Sequence, residues 1–462
     1  MNTEIAESSP QTFVVWSDEI EGRLDFDFYK PEYFELEKRV RGQGARELGE
    51  YILSLAGGAT PEKANNSLYS DSRNGIPFIR VQNLSPEGIS LSDCKFITPE
   101  VHNGPLKRSQ IRPSDLLIKI TGVGRMAISS VAPAGFEGNV NQHIVVIKTK
   151  DSRTSEVIAS YLNSDIGEKL ASRRSTGGTR PALDYEALKK IPIVFEPKIL
   201  DIMHAVYKEK RNREARAQSL LDSIDSYVLG ELGIRLTETG NQMTFSIWSD
   251  ELEGALNPER YVGKAFFHSR KSVSDYCTVI NDVVSPARFP ERAFDWIRID
   301  NILNGGKLTD DSIVTLEGSQ INGTVQYAKS GDILLARLGP SLANRKILVC
   351  PKTENKTVVS NEFIVCRPKT GVTSNALLAV FITEPYLKYI LSKGRGATPS
   401  RLRIGRDDFG NLLFPDVETD VLNKVGAKVF EKTLEANRLR KEAQKMLDIA
   451  KKKVERMILG AG

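Results

Sequence analysis

At 462 residues, with 40% hydrophobic and 27% charged side chains, the chain is too long for one ordinary domain and too apolar to be disordered. No run approaches the roughly 18 apolar residues that span a bilayer, and the start MNTEIAESSPQ has no secretory pattern, so a cytoplasmic protein away from membranes is expected. The net charge is +5, and residues 420–462 alone carry eleven Lys/Arg against six Asp/Glu, a balance that permits nucleic-acid binding without requiring it.

In chain order, the first recognisable segment is Phe13-Val-Val-Trp-Ser-Asp-Glu-Ile-Glu-Gly-Arg-Leu24. It returns as Phe245-Ser-Ile-Trp-Ser-Asp-Glu-Leu-Glu-Gly-Ala-Leu256, with eight of twelve positions identical, so the chain is internally duplicated. Short Ile/Val-rich runs bounded by Gly, Pro and Asn predict strands near 76–81, 116–120 and 144–147, and again at 333–336. Weaker echoes keep the same order. Residues 78–84 match 296–302, 114–122 match 331–339, and Asn141-Gln-His-Ile-Val-Val146 matches Asn361-Glu-Phe-Ile-Val-Cys366, which sets His143 against Phe363. Amphipathic spacing predicts helices near 157–172 and 375–391, so each half reads as an α+β globule.

Each half closes in a long amphipathic stretch. From residue 198 there is no Pro or Gly until Gly230, and from 421 an apolar stripe runs through Leu422, Val425, Val429, Ala436, Leu439, Ala443 and Val454. Neither stripe suits solvent, and mutual packing as an antiparallel coiled coil that spaces the globules is expected over packing of each helix on its own globule. The expected boundaries are 1–197 and 237–415 for the globules, with long helices at 198–236 and 416–462.

Catalytic signatures are missing from the sequence. There is no phosphate loop, no His-Glu-x-x-His and no Asn/Asp-Pro-Pro-Tyr/Phe methyltransferase motif, and Thr121-Gly-Val-Gly124 lacks the third glycine of a dinucleotide site. The four histidines and four cysteines have no metal-ligand spacing, so no metal is expected and the thiols should be reduced.

Two diverged globules, each followed by a long helix, with the motifs Ser114-Asp-Leu-Leu-Ile-Lys-Ile-Thr-Gly122 and Gly331-Asp-Ile-Leu-Leu-Ala-Arg-Leu-Gly339 and Gly-rich loops at 175–183 and 393–401, resemble the specificity subunit of type I restriction-modification systems. The resemblance covers nearly the whole chain. It departs from the family in beginning the first Gly-Asp turn with Ser114. It implies a non-catalytic chain whose two target-recognition domains each read one half of a bipartite, asymmetric double-stranded DNA site. It also implies two adenine methyltransferase subunits as partners, with nuclease/translocase subunits in the larger complex. S-adenosylmethionine, ATP and Mg would belong to those partners, and this chain would hold no cofactor. A coiled-coil adaptor that reads no bases and a solitary DNA-modifying enzyme are the competing readings.

DNA recognition needs cations for phosphates and forked donors for base edges. The Gly-rich loops offer both: Arg173, Arg174, Thr176, Thr179 and Arg180 in the first half, and Lys393, Arg395, Thr398, Ser400, Arg401 and Arg403 in the second. Glycine would let the backbone approach a phosphate, and Arg can pair with guanine O6 and N7. Further candidates are Lys119, Thr121, Arg125, Asn141, Gln142 and His143, and in the second half Arg337, Asn344 and Arg345. Arg80 and Arg298 align in the repeat and read as either DNA contacts or buried ion pairs.

Overall fold

The computed structural model describes residues 12–234 and 269–460, apart from 63, 92, 304, 309–311, 397 and 399–400. Phe245–Leu256 and the start of the second predicted globule lie outside the described residues. The chain divides into two units, one formed by residues 1–213 and 441–462, the other by 214–440.

In the first unit the elements that matter are α1 (Pro31–Arg41), β1 (Ser54–Gly57), β2 (Ile76–Ile79), β3 (Leu116–Lys119), β4 (Ser129–Val131), β5 (Gly138–Val140), β6 (Ile144–Lys148), α2 (Ser152–Leu162), α3 (Asp165–Arg174) and the first half of α4 (Lys198–Glu231). All four residues of β3 are buried, which is why this strand reads as a continuous apolar run rather than an alternating one. An antiparallel sheet runs β1-β6-β3-β4, and in a second sheet β5 pairs in parallel with β2.

The second unit repeats this plan with β7 (Cys277–Ile280), β8 (Ala293–Ile297), β9 (Ile333–Ala336), β10 (Ile347–Val349), β11 (Lys356–Val359), β12 (Phe363–Pro368), α5 (Ser374–Phe381), α6 (Glu384–Ser392) and the first half of α7 (Thr419–Ile458). Its antiparallel sheet is ordered β7-β12-β9-β10, and β8 pairs in parallel with β11.

The Ser/Gly-Asp motif builds the same turn in both units. Ser114 (φ 72°) and Gly331 (φ 91°) both take the left-handed conformation, so serine at the first position leaves the turn intact. Asp115 accepts the Arg112 N–H and pairs with Lys148 at 3.0 Å. Asp332 accepts the Lys329 N–H and pairs with Arg367 at 2.7 Å. The motif is therefore a buried turn lock that joins β3 to β6 and β9 to β12.

Each expected mid-domain helix is two helices. The Ser164 hydroxyl accepts the Gly167 N–H and starts α3 afresh, and Thr383 stands at the matching break before α6.

The long helices grip each other within both units. In the first, Ile199, Met203 and Tyr207 of α4 share a core with Leu447, Ala450, Val454 and Ile458 of α7. In the second, Ala217 packs with Ala436 and Leu439, and Ile224, Val228 and Leu232 join Leu422, Val425 and Val429. Gln218 meets Arg440 and Ser223 meets Lys432, so numbers rise in one helix as they fall in the other and the pair is antiparallel, as the stripes predict.

Candidate nucleic-acid interface

Strand pairing sets the true register of the repeat. Ile144 faces Lys119 across β6 and β3, and Phe363 faces Ala336 across β12 and β9. Ile144 is thus the counterpart of Phe363, and His143 the counterpart of Glu362. The expected match of His143 with Phe363 is one residue out, a slip that apolar runs such as Ile-Val-Val and Phe-Ile-Val do not forbid.

The Gly-rich loops fold as small hairpins docked on the ends of β3 and β9. Thr176 and Ala182 exchange backbone hydrogen bonds at 2.8 Å, Gly122 N–H donates to the Pro181 carbonyl at 3.0 Å, and Leu183 N–H to that of Ile120 at 2.8 Å. In the second unit Arg395 and Arg403 exchange bonds at 2.9 Å, Gly339 N–H donates to Leu402 at 2.8 Å, and Ile404 N–H to Arg337 at 3.0 Å. The two modules share these hydrogen bonds one for one, and Arg180 therefore corresponds to Arg401. Gly177, at φ 92°, makes the first hairpin's turn, while a side chain at Gly394 or Gly396 would collide with Leu402 or with the Arg401 backbone. These glycines serve the hairpin's own turn and packing.

At the first module, Arg180 donates to His143 Nε2 at 2.9 Å. Burial and the nearby guanidinium hold the His143 pKa below its ordinary value, so the ring is neutral at pH 7. Asn141 is buried and accepts the His143 N–H, which fixes that turn, and exposed Gln142 is hydrogen-bonded to Thr60. Thr176, Thr179 and Arg180 are exposed and Thr121 is half-buried. At the second module Arg403 makes a two-pronged contact with Glu362, both bonds 3.2 Å, and Arg395 pairs with Asp408 at 2.8 Å. Arg401 and Thr398 are exposed, and Ser400 lies outside the described residues.

Other expected contacts are internal braces. Arg173 and Arg174 are each 2% exposed and share Glu37, with Arg174 also on Glu21 at 3.1 Å and the Arg173 guanidinium 4.1 Å from the centre of the Phe28 ring. The end of α3 is buried against α1, so these cations cannot face a duplex. Lys119 is buried and donates to the Val123 and Arg125 carbonyls at 2.9 Å. Arg125 ties its loop to Asp165 at 2.9 Å, as Arg345 does to Glu384 at 3.3 Å. Arg337 donates to the Ile404 and Asn361 carbonyls, Lys393 is buried, and Asn344 is exposed with its carbonyl accepting the Gly305 N–H. Neither Arg80 nor Arg298 forms a buried ion pair: Arg80 donates to the Asp93 carbonyl, and exposed Arg298 pairs with Asp300.

Sequence reasoning missed Thr60 and Glu362. Glu362 was within reach, since it stands beside Asn361 in the quoted echo and only the register hid it. Among the described residues no group of three His, Cys, Asp or Glu could hold a metal, and no helix is long and apolar enough to cross a membrane.

No family model matches the chain, and no curated relative does. Among solved structures it is similar to a type I restriction-modification S subunit from M. genitalium at 14% identity, covering 90% of this chain and 94% of that one, TM-score 0.43. It is also similar to a chain from a study of type I assembly and conformational transition (16%, 90% and 96%, TM-score 0.46). A third is the HsdS subunit of Thermoanaerobacter tengcongensis (15%, 90% and 97%, TM-score 0.34).

Proposed function

We propose that this chain is the specificity subunit of a type I restriction-modification system, a non-catalytic reader in which each unit recognises one half of a bipartite, asymmetric DNA site. What carries this is the pair of hairpin modules: the same backbone lattice is built twice, and its exposed surface differs. One presents exposed Gln142, Thr179 and Arg180 around half-buried His143; the other presents exposed Arg401 and Arg403 around half-buried Glu362. A shared frame with unlike donors and acceptors is what reading two different half-sites requires. Arg180 contacts only a neutral imidazole and can still pair with a base or phosphate, whereas Arg403 is partly neutralised by Glu362.

Two adenine methyltransferase subunits would be held beside the half-sites and would supply the chemistry with S-adenosylmethionine; ATP and Mg would serve nuclease/translocase partners. Gel shifts of the full chain on the site found by mapping methylated adenines test the reading. Affinity should fall steeply with salt. Exchanging the exposed residues of the first hairpin should alter one half-site, and a change in both half-sites or in neither would contradict modular reading.

A further inference from the structure

His143 and Arg180 lie 37 residues apart in the chain and are brought together by pinned backbone. The His143 N–H donates to Asn141 Oδ1 at 3.2 Å, and its carbonyl accepts the Ile120 N–H at 2.9 Å. Beside Arg180, the Pro181 carbonyl accepts the Gly122 N–H at 3.0 Å. Both side chains are thus anchored just past the end of β3, and the 2.9 Å bond from Arg180 Nη2 to His143 Nε2 is in place before any ligand arrives.

That bond has a direction. A guanidinium offers donors only, so Nε2 must be the acceptor and the ring proton is assigned to Nδ1. Neutral His143 therefore aims Arg180 without cancelling its charge, whereas Glu362 opposes that of Arg403 through two 3.2 Å bonds. Nη2 carries one N–H on the edge shared with Nε and one on the edge shared with Nη1. A single bond to His143 leaves one complete two-pronged edge open. Next to this fork, Gln142 Oε1 accepts the Thr60 hydroxyl, and its amide N–H donors have no partner among the described residues.

The surface is rich in donors yet holds one charge. A phosphate cradle gathers cations, but Lys119 is buried on the Val123 and Arg125 carbonyls and Arg125 is tied to Asp165. A fixed fork with neutral neighbours suits a base edge bearing two acceptors in one plane. In the major groove that edge is guanine O6 and N7; adenine and cytosine place a donor there, and thymine a methyl group beside a single acceptor.

We propose that Arg180 reads a guanine through O6 and N7 in the half-site of the first unit, with His143 as the residue that positions its guanidinium. This rests on the DNA-reading role proposed for the chain.

Gel-shift titrations of the full chain with its methyltransferase partner, on the mapped site, test it. Each guanine of the first half-site is replaced in turn. For wild type, one position should lose about 5- to 150-fold in affinity with adenine and about 3- to 10-fold with 7-deazaguanine, which lacks the N7 acceptor. Inosine, which keeps O6 and N7, should bind there within about twofold of guanine. Arg180→Ala should bind all four alike, with an unchanged circular dichroism spectrum. His143→Ala should lower the guanine-over-adenine ratio by about threefold or more without changing affinity for unrelated DNA, and His143→Gln, whose amide oxygen can accept from Arg180, should restore it. A first half-site without a 7-deazaguanine effect, with Arg180→Ala weakening cognate and unrelated DNA equally, would make Arg180 a phosphate contact and overturn the proposal while the reading role stands. Wild-type discrimination in His143→Ala would overturn the positioning role. A wild-type complex that prefers the mapped site no more than unrelated DNA would overturn the reading role and the guanine together.

Discussion

Arg174 and Arg180 lie six residues apart in one basic stretch and have opposite roles. Arg174 is sealed against Glu37, 137 residues earlier, while Arg180 stands exposed on a hairpin. Removing Arg180 leaves the fold alone: Arg180→Ala should change stability by less than about 0.5 kcal/mol and weaken DNA binding by about 1–3 kcal/mol, read by paired denaturation and gel-shift titrations. Arg174→Ala should cost about 1–3 kcal/mol of stability, because it removes one of the three arginines that hold the buried Glu37 carboxylate. The same carboxyl makes a pH prediction. Burial pushes the Glu37 pKa up, but Arg174, Arg173 and Arg41 outweigh it and hold it below its ordinary 4.5. A carboxyl held low in the folded state adds stability above that value and loses it as pH falls through the folded pKa. Urea unfolding of the first unit should therefore show this contribution intact from pH 7 to 5 and falling below about 4.5, with the slope reduced in Glu37→Gln. Sequence alone could not sort these arginines, since the distinguishing residue is far away in the chain and carries no motif.

At the scale of elements, the apolar runs located every strand of the inner sheets that they predicted, and the stripes on 198–231 and 421–458 placed the helix pair. What the runs could not supply was register, because an Ile/Val run fits its neighbour equally well one residue along; only the ladder Ile144–Lys119 and its counterpart Phe363–Ala336 show it. Helix interiors also conceal reasons for their residues. Gly426 sits within α7, where Ala would raise helix propensity by about 1 kcal/mol. A methyl group there would overlap the Ala376 backbone at the start of α5. Gly426→Ala should therefore destabilise by about 1–3 kcal/mol, and a rise in melting temperature would show that propensity dominates. Ser114→Gly should do the reverse, gaining roughly 0.5–1 kcal/mol in chemical denaturation by relieving a left-handed serine.

At the scale of the whole molecule, the duplication was legible and the division of the chain was not. Repeats suggest two consecutive halves, yet the first unit also owns residues 441–462, because Val454 and Ile458 complete the core that Ile199 and Met203 begin. Val454→Asp should lower the stability of the first unit by about 3 kcal/mol or more, seen as faster amide exchange in β3 and β6, with β9 and β12 unchanged.

That borrowed segment also dictates an order of birth. On the ribosome, residues 214–440 emerge complete before the strip that seals the first core exists, so the unit translated second is the first to finish folding. A premature stop within codons 441–462 would therefore leave the core of the first unit unsealed and spare the second.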